Sequence, residues 1–226
     1  MERHIYLTRH GETDFNLTKR VQDAETPVLT KRGQEHALAL KATIETMGVD
    51  FDCIICADTK RTRQTLALIF PDYKNMPQVL IDPRNQERLH RGLIGYTKQQ
   101  IAEAIGVELQ GRLSWPLYFE GTDQSVLTNR FPENETIEQI RERVSSLIDE
   151  FQNHTNILII GSSIINHYIL EYLIHGSIGK QKAEYPEGNQ LDFQSHDEIR
   201  VVTLDENMHV TNYKIIQTGQ PTTNEE

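Results

Sequence analysis

Short apolar runs alternate with amphipathic stretches along the first two-thirds of this chain, and that order restricts its possible folds more than any other feature. The segment "HIYLTRH" (4–10) reads as a short buried strand, and "TKRGQEHALALKATIETMG" (30–48) as an amphipathic helix ended by Gly48. "CIICAD" (53–58) is the next strand, followed by a helix through "TRQTLALIF" (62–70) that stops at Pro71. A third strand is expected in "PQVLIDP" (77–83), a short helix in "YTKQQIAEAIG" (96–106), and a longer one in "ETIEQIRERVSSLIDEFQNH" (135–154), where Glu-to-Arg pairs fall at helical spacing. The run "ILIIGSSIINH" (157–167) then passes from strand, through a turn of small residues, into a helix that reaches Gly176.

Alternating strands and helices imply a largely parallel sheet covered by helices on both sides. The end of the chain differs: "NQLDFQS", "EIRVVTLDEN" and "HVTNYKII" alternate as antiparallel strands, with "DEN" as a turn. The expected fold class is therefore α/β, a three-layer α/β/α sandwich with a largely parallel central sheet and an antiparallel C-terminal hairpin. There is no internal repeat and no linker rich in Gly, Pro or Ser, so residues 1–216 read as a single domain. The poorly patterned stretch 107–134, with Trp115, reads as a lid-like insertion because it lacks the apolar residues for its own core, and 217–226 as a flexible tail.

The formal charge of −10 argues against nucleic acid or an anionic membrane as a general partner, since both require a basic surface. No run approaches the roughly 18 apolar residues of a membrane span, and "MERHIYLTRH" lacks a signal-peptide core. The two cysteines fit a reducing cytoplasm. Cys53 and Cys56 form a CxxC, but in a buried strand residues three apart point to opposite faces, so they read as core residues and not as a redox pair or metal site.

In open parallel sheets, ligands bind beyond the carboxyl ends of the strands. Three such ends carry chemistry: "TRHGETDFN" (8–16), "ADTKRTRQT" (57–65) and "NQERLHRGLIG" (85–95). Converged, they offer Arg9, His10, Arg61 and Glu87, a set suited to phosphoryl transfer. A neutral imidazole attacks phosphorus through one nitrogen while a backbone carbonyl holds the N–H of the other. Guanidinium forks match the equatorial phosphoryl oxygens, and a carboxyl of raised pKa can protonate the leaving oxygen. Arg88 beside Glu87 would lower that pKa if the two paired. Arg88, His90 and Arg91 offer either a second anion site or a solvated basic loop.

These residues resemble a known family. "LTRHGET" looks like the signature of the histidine phosphatase superfamily, and the likeness continues in order through "LTKRG" (29–33), "ADTKRTRQT", "ERLHRGLIG" (87–95) and "PENETIEQIRERV" (132–144). The resemblance implies His10 as a nucleophile forming a phosphohistidine, Glu87 as general acid, and Arg9, Arg61 and Asn16 at the phosphate. It implies no metal and no cofactor. By family analogy the partners are a small phosphorylated metabolite or phosphate, and a second copy of the chain in a homodimer.

One departure stands out. The family writes its later strand-turn as apolar residues followed by Ser-His-Gly-Gly, whose histidine also binds the phosphoryl oxygens. Here that place falls on Gly161 or on Ser162, depending on alignment, and neither supplies an imidazole. His167 lies too far along the helix to substitute. Losing one preorganised donor costs on the order of 100- to 1,000-fold in rate. Three readings follow: a phosphatase of reduced activity that uses Gly161, Ser162, Ser163 and the helix amides; a substitution made to trap a ligand; or a phospho-ligand-binding pseudoenzyme. The bland reading of "GSS" is a strand-to-helix turn with a serine cap. Phosphoglycerate mutases in the family carry a Gly-Trp segment and a proline-rich run that this chain lacks, which makes mutase the weaker assignment.

Overall fold

In the computed structural model, which describes residues 2–76, 78–106, 131–178 and 194–219, the first apolar run forms strand β1 (Arg3–Arg9). A four-residue helix α1 (Asp14–Leu17) follows, then α2 (Lys31–Met47), β2 (Cys53–Ala57), α3 (Lys60–Ile69), β3 (Val79–Asp82) and α4 (Lys98–Ile105). After residue 131 come α5 (Ile137–Phe151), β4 (Asn156–Gly161), α6 (Ser163–His175), β5 (Glu198–Leu204) and β6 (Val210–Gln217). The stretch 107–130 of the expected insertion, residues 189–193 of "NQLDFQS" and residues 220–226 of the expected tail lie outside the described residues.

The six strands among the described residues make one sheet in the order β3-β2-β4-β1-β5-β6. β1, β2, β3 and β4 pair in parallel, whereas β5 runs antiparallel to β1 and β6 antiparallel to β5. Alternation along the strands divides the core in two. Ile5, Leu7, Cys53, Ile55, Ile157 and Ile159 face one side and pack on Val144, Leu147, Ile165 and Ile169 of α5 and α6. Tyr6, Ile54, Cys56, Leu158 and Ile160 face the other and pack on Leu40, Ile44, Leu66 and Ile69 of α2 and α3. Helices on both faces of one sheet make the expected three-layer sandwich.

Thread-like details differ from the sequence expectation for a local reason: threonines set where the helices begin. The side chains of Thr30, Thr59, Thr97 and Thr136 each accept a hydrogen bond from the third residue of the helix they open. The segments expected from 62 and 135 therefore start at Lys60 and Ile137. α1 carries no apolar period and exists through a reciprocal cap between Thr13 and Asn16. Gln194 and Ser195, expected in a strand, lie outside one. No helix among the described residues is long and apolar enough to cross a membrane.

Cys53 and Cys56 are both free and buried, on opposite faces of the sheet, and burial pushes each thiol up to about 12. The folded protein should therefore leave both thiols unreacted with an aromatic disulfide reagent at pH 8, and release two equivalents only on unfolding, as read by absorbance.

Candidate functional site

The strand ends converge as the parallel register dictates. Arg9 lies opposite Gly161, and the His10 N–H donates to the Gly161 carbonyl at 3.0 Å. His10 thus sits just beyond β1, 2% exposed. The next residue permits this only as glycine: a Cβ on Gly11 would stand 2.1 Å from the Gly33 carbonyl oxygen, and one on Gly33 2.0 Å from that of Glu12. The first turn of α2 is thereby pressed against the chain beyond His10. The Gly11 N–H donates to Thr65 Oγ1 at 3.1 Å, and the His10 Nδ1–H to the Gly11 carbonyl at 2.8 Å. That bond places the ring proton on Nδ1 and leaves the Nε2 lone pair available. Burial, then Arg61, Arg9 and His196, hold His10 well below its ordinary 6.5, so the ring is neutral.

Two guanidiniums flank it. Arg9 NH1 donates to the Gln194 carbonyl at 3.0 Å and Arg61 NH1 to the Asp23 carbonyl at 2.5 Å. Each is tethered by one arm, and each keeps a buried Nε without a partner among the described residues. Burial lowers both, Arg9 to about 10, which still leaves them charged at neutral pH. Arg63, two residues beyond Arg61, instead turns outward to Glu25 and Asp58.

Glu87 completes the group, within electrostatic reach of both arginines. One carboxylate oxygen accepts from the Arg88 N–H at 2.9 Å and the other from the Ile164 N–H, in the first turn of α6, at 3.3 Å. Burial nevertheless raises its pKa from 4.5, outweighing those bonds and the two arginines. The Arg88 guanidinium donates through Nε to the Glu135 carbonyl at 3.0 Å. The acid loop is fixed from behind. Arg143 of α5 donates to the carbonyls of Arg84 and Gln86 at 2.6 and 2.9 Å and pairs with Glu135 at 2.6 Å. Asn85, fully buried, donates to the Ile160 carbonyl at 3.1 Å.

The basic residues after Glu87 do not form a solvated loop. Arg88 and His90 are buried, and of the three only Arg91 is exposed. Burial takes His90 down to about 3 and removes its charge.

At the strand-to-helix turn, Ser162 occupies the cap position of α6, yet its side chain makes no capping bond and its buried Oγ has no partner among the described residues. The plain serine-cap reading is therefore not what the turn does. Ser163 Oγ donates to the Gln194 carbonyl at 3.2 Å, the same carbonyl that Arg9 uses. Gly161 lends its carbonyl to His10, and a Cβ there would lie 2.4 Å from Asn166 Oδ1 and 3.1 Å from Asn85 Oδ1, so a larger residue would displace those carboxamides. Asn16 uses its Oδ1 on the Thr13 N–H at 3.0 Å to cap α1. His167 lies 4.0 Å from Glu171, within α6.

Three contributors carry no sequence motif. Gln194 is buried and its side chain bridges Asn166 and the Leu7 carbonyl. His196 Nδ1–H donates to the His10 carbonyl at 2.6 Å, and its ring stacks on His36 of α2 at 5.5 Å and 8°. A histidine just before the apolar run "EIRVV" was the available signal, but its meaning depends on a contact 186 residues away.

The family model of the histidine phosphatase superfamily (branch 1) matches residues 5–187. The chain belongs to that superfamily. It is 29% identical over 146 residues to a "Probable phosphoglycerate mutase GpmB" of Erwinia tasmaniensis, covering 64% of this chain and 61% of that one. It is 28% identical over 178 residues to the 6-phosphofructo-2-kinase/fructose-2,6-bisphosphatase 1 of Bos taurus, covering 77% of this chain and 33% of that protein. The chain thus matches less than two-thirds of the length of either relative. Among solved structures, the alpha-ribazole phosphatase from Shigella flexneri superposes with a TM-score of 0.68 at 19% identity, over 96% of both chains. The phosphoglycerate mutase from Bacillus anthracis gives 0.67 at 16% identity, over 96% of this chain and 93% of that one. At such identities these two likenesses concern the fold.

Two outcomes follow for this superfamily member. Gly33→Ala should cost roughly 1–3 kcal/mol or more in urea denaturation, because its Cβ meets backbone and not a movable side chain. Acid should also destabilise the protein. His90, His167 and His196 are held down to about 3, 4 and 3, so the unfolded chain takes up protons below pH 6.5 that the folded chain refuses. Each then removes up to about 1.4 kcal/mol per pH unit as pH falls from 6.5 toward its folded value. Urea midpoints measured from pH 7 to pH 4 should fall monotonically.

Proposed function

We propose that this chain is a phosphomonoester hydrolase working through a phosphohistidine on His10, acting on a small phosphorylated metabolite with a rate reduced by the lack of a second imidazole at Gly161 or Ser162. The observation that carries the reading is the state of His10. It is neutral, with its proton held on Nδ1 by the Gly11 carbonyl, between two arginines and beside a carboxyl of raised pKa. Among the described residues Arg9 Nε, Arg61 Nε and Ser162 Oγ are buried donors without partners, and a phosphoryl group would satisfy them. Ser163 and Asn16 have bonds of their own, to the Gln194 carbonyl and from the Thr13 N–H.

In the proposed reaction, His10 Nε2 forms a bond to phosphorus as the ester P–O bond breaks, and the leaving alkoxide takes the proton of Glu87. Water then attacks the phosphohistidine and passes its proton to the Glu87 carboxylate. The P–N bond breaks, and inorganic phosphate leaves with both residues restored. The Ile164 N–H, which could otherwise reach an anion, is directed to Glu87, so the helix start orients the acid. Likeness to a phosphoglycerate mutase and to a fructose-2,6-bisphosphatase supports phosphoryl chemistry in general. The competing reading, a protein that binds phosphorylated ligands without turning them over, draws on the missing imidazole alone.

Phosphate release from an aryl phosphate separates the two. Turnover that falls to background in His10→Ala supports the hydrolase; stabilisation by vanadate with no turnover in the unaltered protein supports the binder. Glu87→Gln should lower hydrolysis of an alkyl phosphate by about 100-fold or more, and of an aryl phosphate far less, because only the alkoxide needs a proton. For kcat/KM the acid limb, set by protonation of His10, should lie below pH 6.5, and the alkaline limb, set by ionisation of Glu87, above pH 4.5.

A further inference from the structure

The segment from Gln194 to His196 touches both residues that follow one another at the end of β1. The Gln194 carbonyl accepts from Arg9 NH1 at 3.0 Å, and the His196 Nδ1–H donates to the His10 carbonyl at 2.6 Å. The second contact reaches the peptide unit joining His10 to Gly11. Its carbonyl is held by His196 and its N–H by Thr65 Oγ1 at 3.1 Å, so the plane of that unit is clamped from both ends. The orientation of the His10 ring depends on this plane, because the ring's Nδ1–H is anchored on the carbonyl of Gly11, the residue the plane leads into. The clamp is itself braced. The His196 ring lies 5.5 Å from that of His36 at an interplanar angle of 8°, which fixes its own plane from the side of α2, and the Gln194 side chain is tied to Asn166 at 2.7 Å and to the Leu7 carbonyl at 2.8 Å. The His10 and His196 rings are 5.6 Å apart.

We propose that His196 is a positioning residue for the nucleophile: with Gln194 it forms a strap across Arg9 and His10 that fixes the peptide plane from which the His10 ring is oriented. The inference rests on the reading of His10 as the attacking group. His196 acts through one donated hydrogen bond, so a side chain that supplies a donor at the same place should replace it, whereas one that keeps the ring shape without the donor should not. A nucleophile displaced by a fraction of an ångström loses rate in the chemical step while leaving substrate binding by the arginines largely intact.

The test compares His196→Asn, whose carboxamide N–H stands in for Nδ1–H, with His196→Phe, which keeps a ring against His36 and lacks the donor. His196→Ala serves as the donor-less variant if the phenylalanine chain does not fold by circular dichroism. With an aryl phosphate, His196→Phe should lower kcat roughly 10- to 100-fold with KM changed less than about two-fold, and His196→Asn should recover most of the loss. In ¹⁵N-imidazole NMR, His10 should show one tautomer, protonated on Nδ1, in the unaltered protein and in His196→Asn, and a mixture in His196→Phe. Equal losses in both variants, or unaltered kcat and His10 signals in His196→Phe, would overturn the proposal. If the unaltered protein shows no turnover, the hydrolase reading fails by itself, and the NMR comparison decides the positioning role independently.

Discussion

The parallel pairing of β1 with β4 is the constraint on which the site depends. It sets Arg9 beside Gly161 and joins the His10 N–H to the Gly161 carbonyl. The two strands therefore end at the same level. From that shared edge the chain must turn, once toward α2 and once into α6. Both turns are made at glycines: Gly11 lies against the Gly33 backbone with no room for a side chain, and Gly161 lies against the carboxamides of Asn166 and Asn85. Asn85, which reaches the Ile160 carbonyl, brings the acid loop to the same edge. Three sequence-distant segments meet there because the central strands of a parallel sheet bring their carboxyl ends together.

Burial at that edge is electrostatically expensive, and its arrangement shows how the cost is offset. Two arginines and a carboxyl share one partly enclosed group, with His10 kept neutral among them. The arginines spend one arm each on main-chain carbonyls, while Glu87 rests on the Arg88 and Ile164 amides. Those bonds favour the ionised carboxylate, yet burial prevails and its pKa is raised. Behind the front rank, Arg143 with Glu135 and the Gln194–His196 segment hold the loops that carry these groups. The supporting residues are as well bonded as the site residues are left with free donors.

The alternating pattern made the sandwich legible before any coordinates, because period-2 and period-3.6 apolar spacing is a local property of the chain. The same holds for Cys53 and Cys56, whose separation by three in a strand places them in different cores. Strand-end motifs made His10, Arg9, Arg61 and Glu87 legible too. Less visible was the behaviour of their neighbours. Arg88 and His90 look like a basic surface loop in the sequence, and burial turns one toward Glu135 and neutralises the other. Ser162 reads as a helix cap by type and position, yet its hydroxyl caps nothing.

What the sequence determined by itself was the order of elements, the faces they bury and the candidates at three strand ends, because each follows from residues within a turn or two of one another. Only the tertiary structure decided which charges are buried together, which carboxyl has its pKa raised, and which residue holds the His10 carbonyl. The His196 bond to His10 spans 186 positions, and Arg143 reaches the acid loop across 57. Such contacts depend on the strand order of the sheet and on how deeply each group is removed from water, and no local spacing encodes either one.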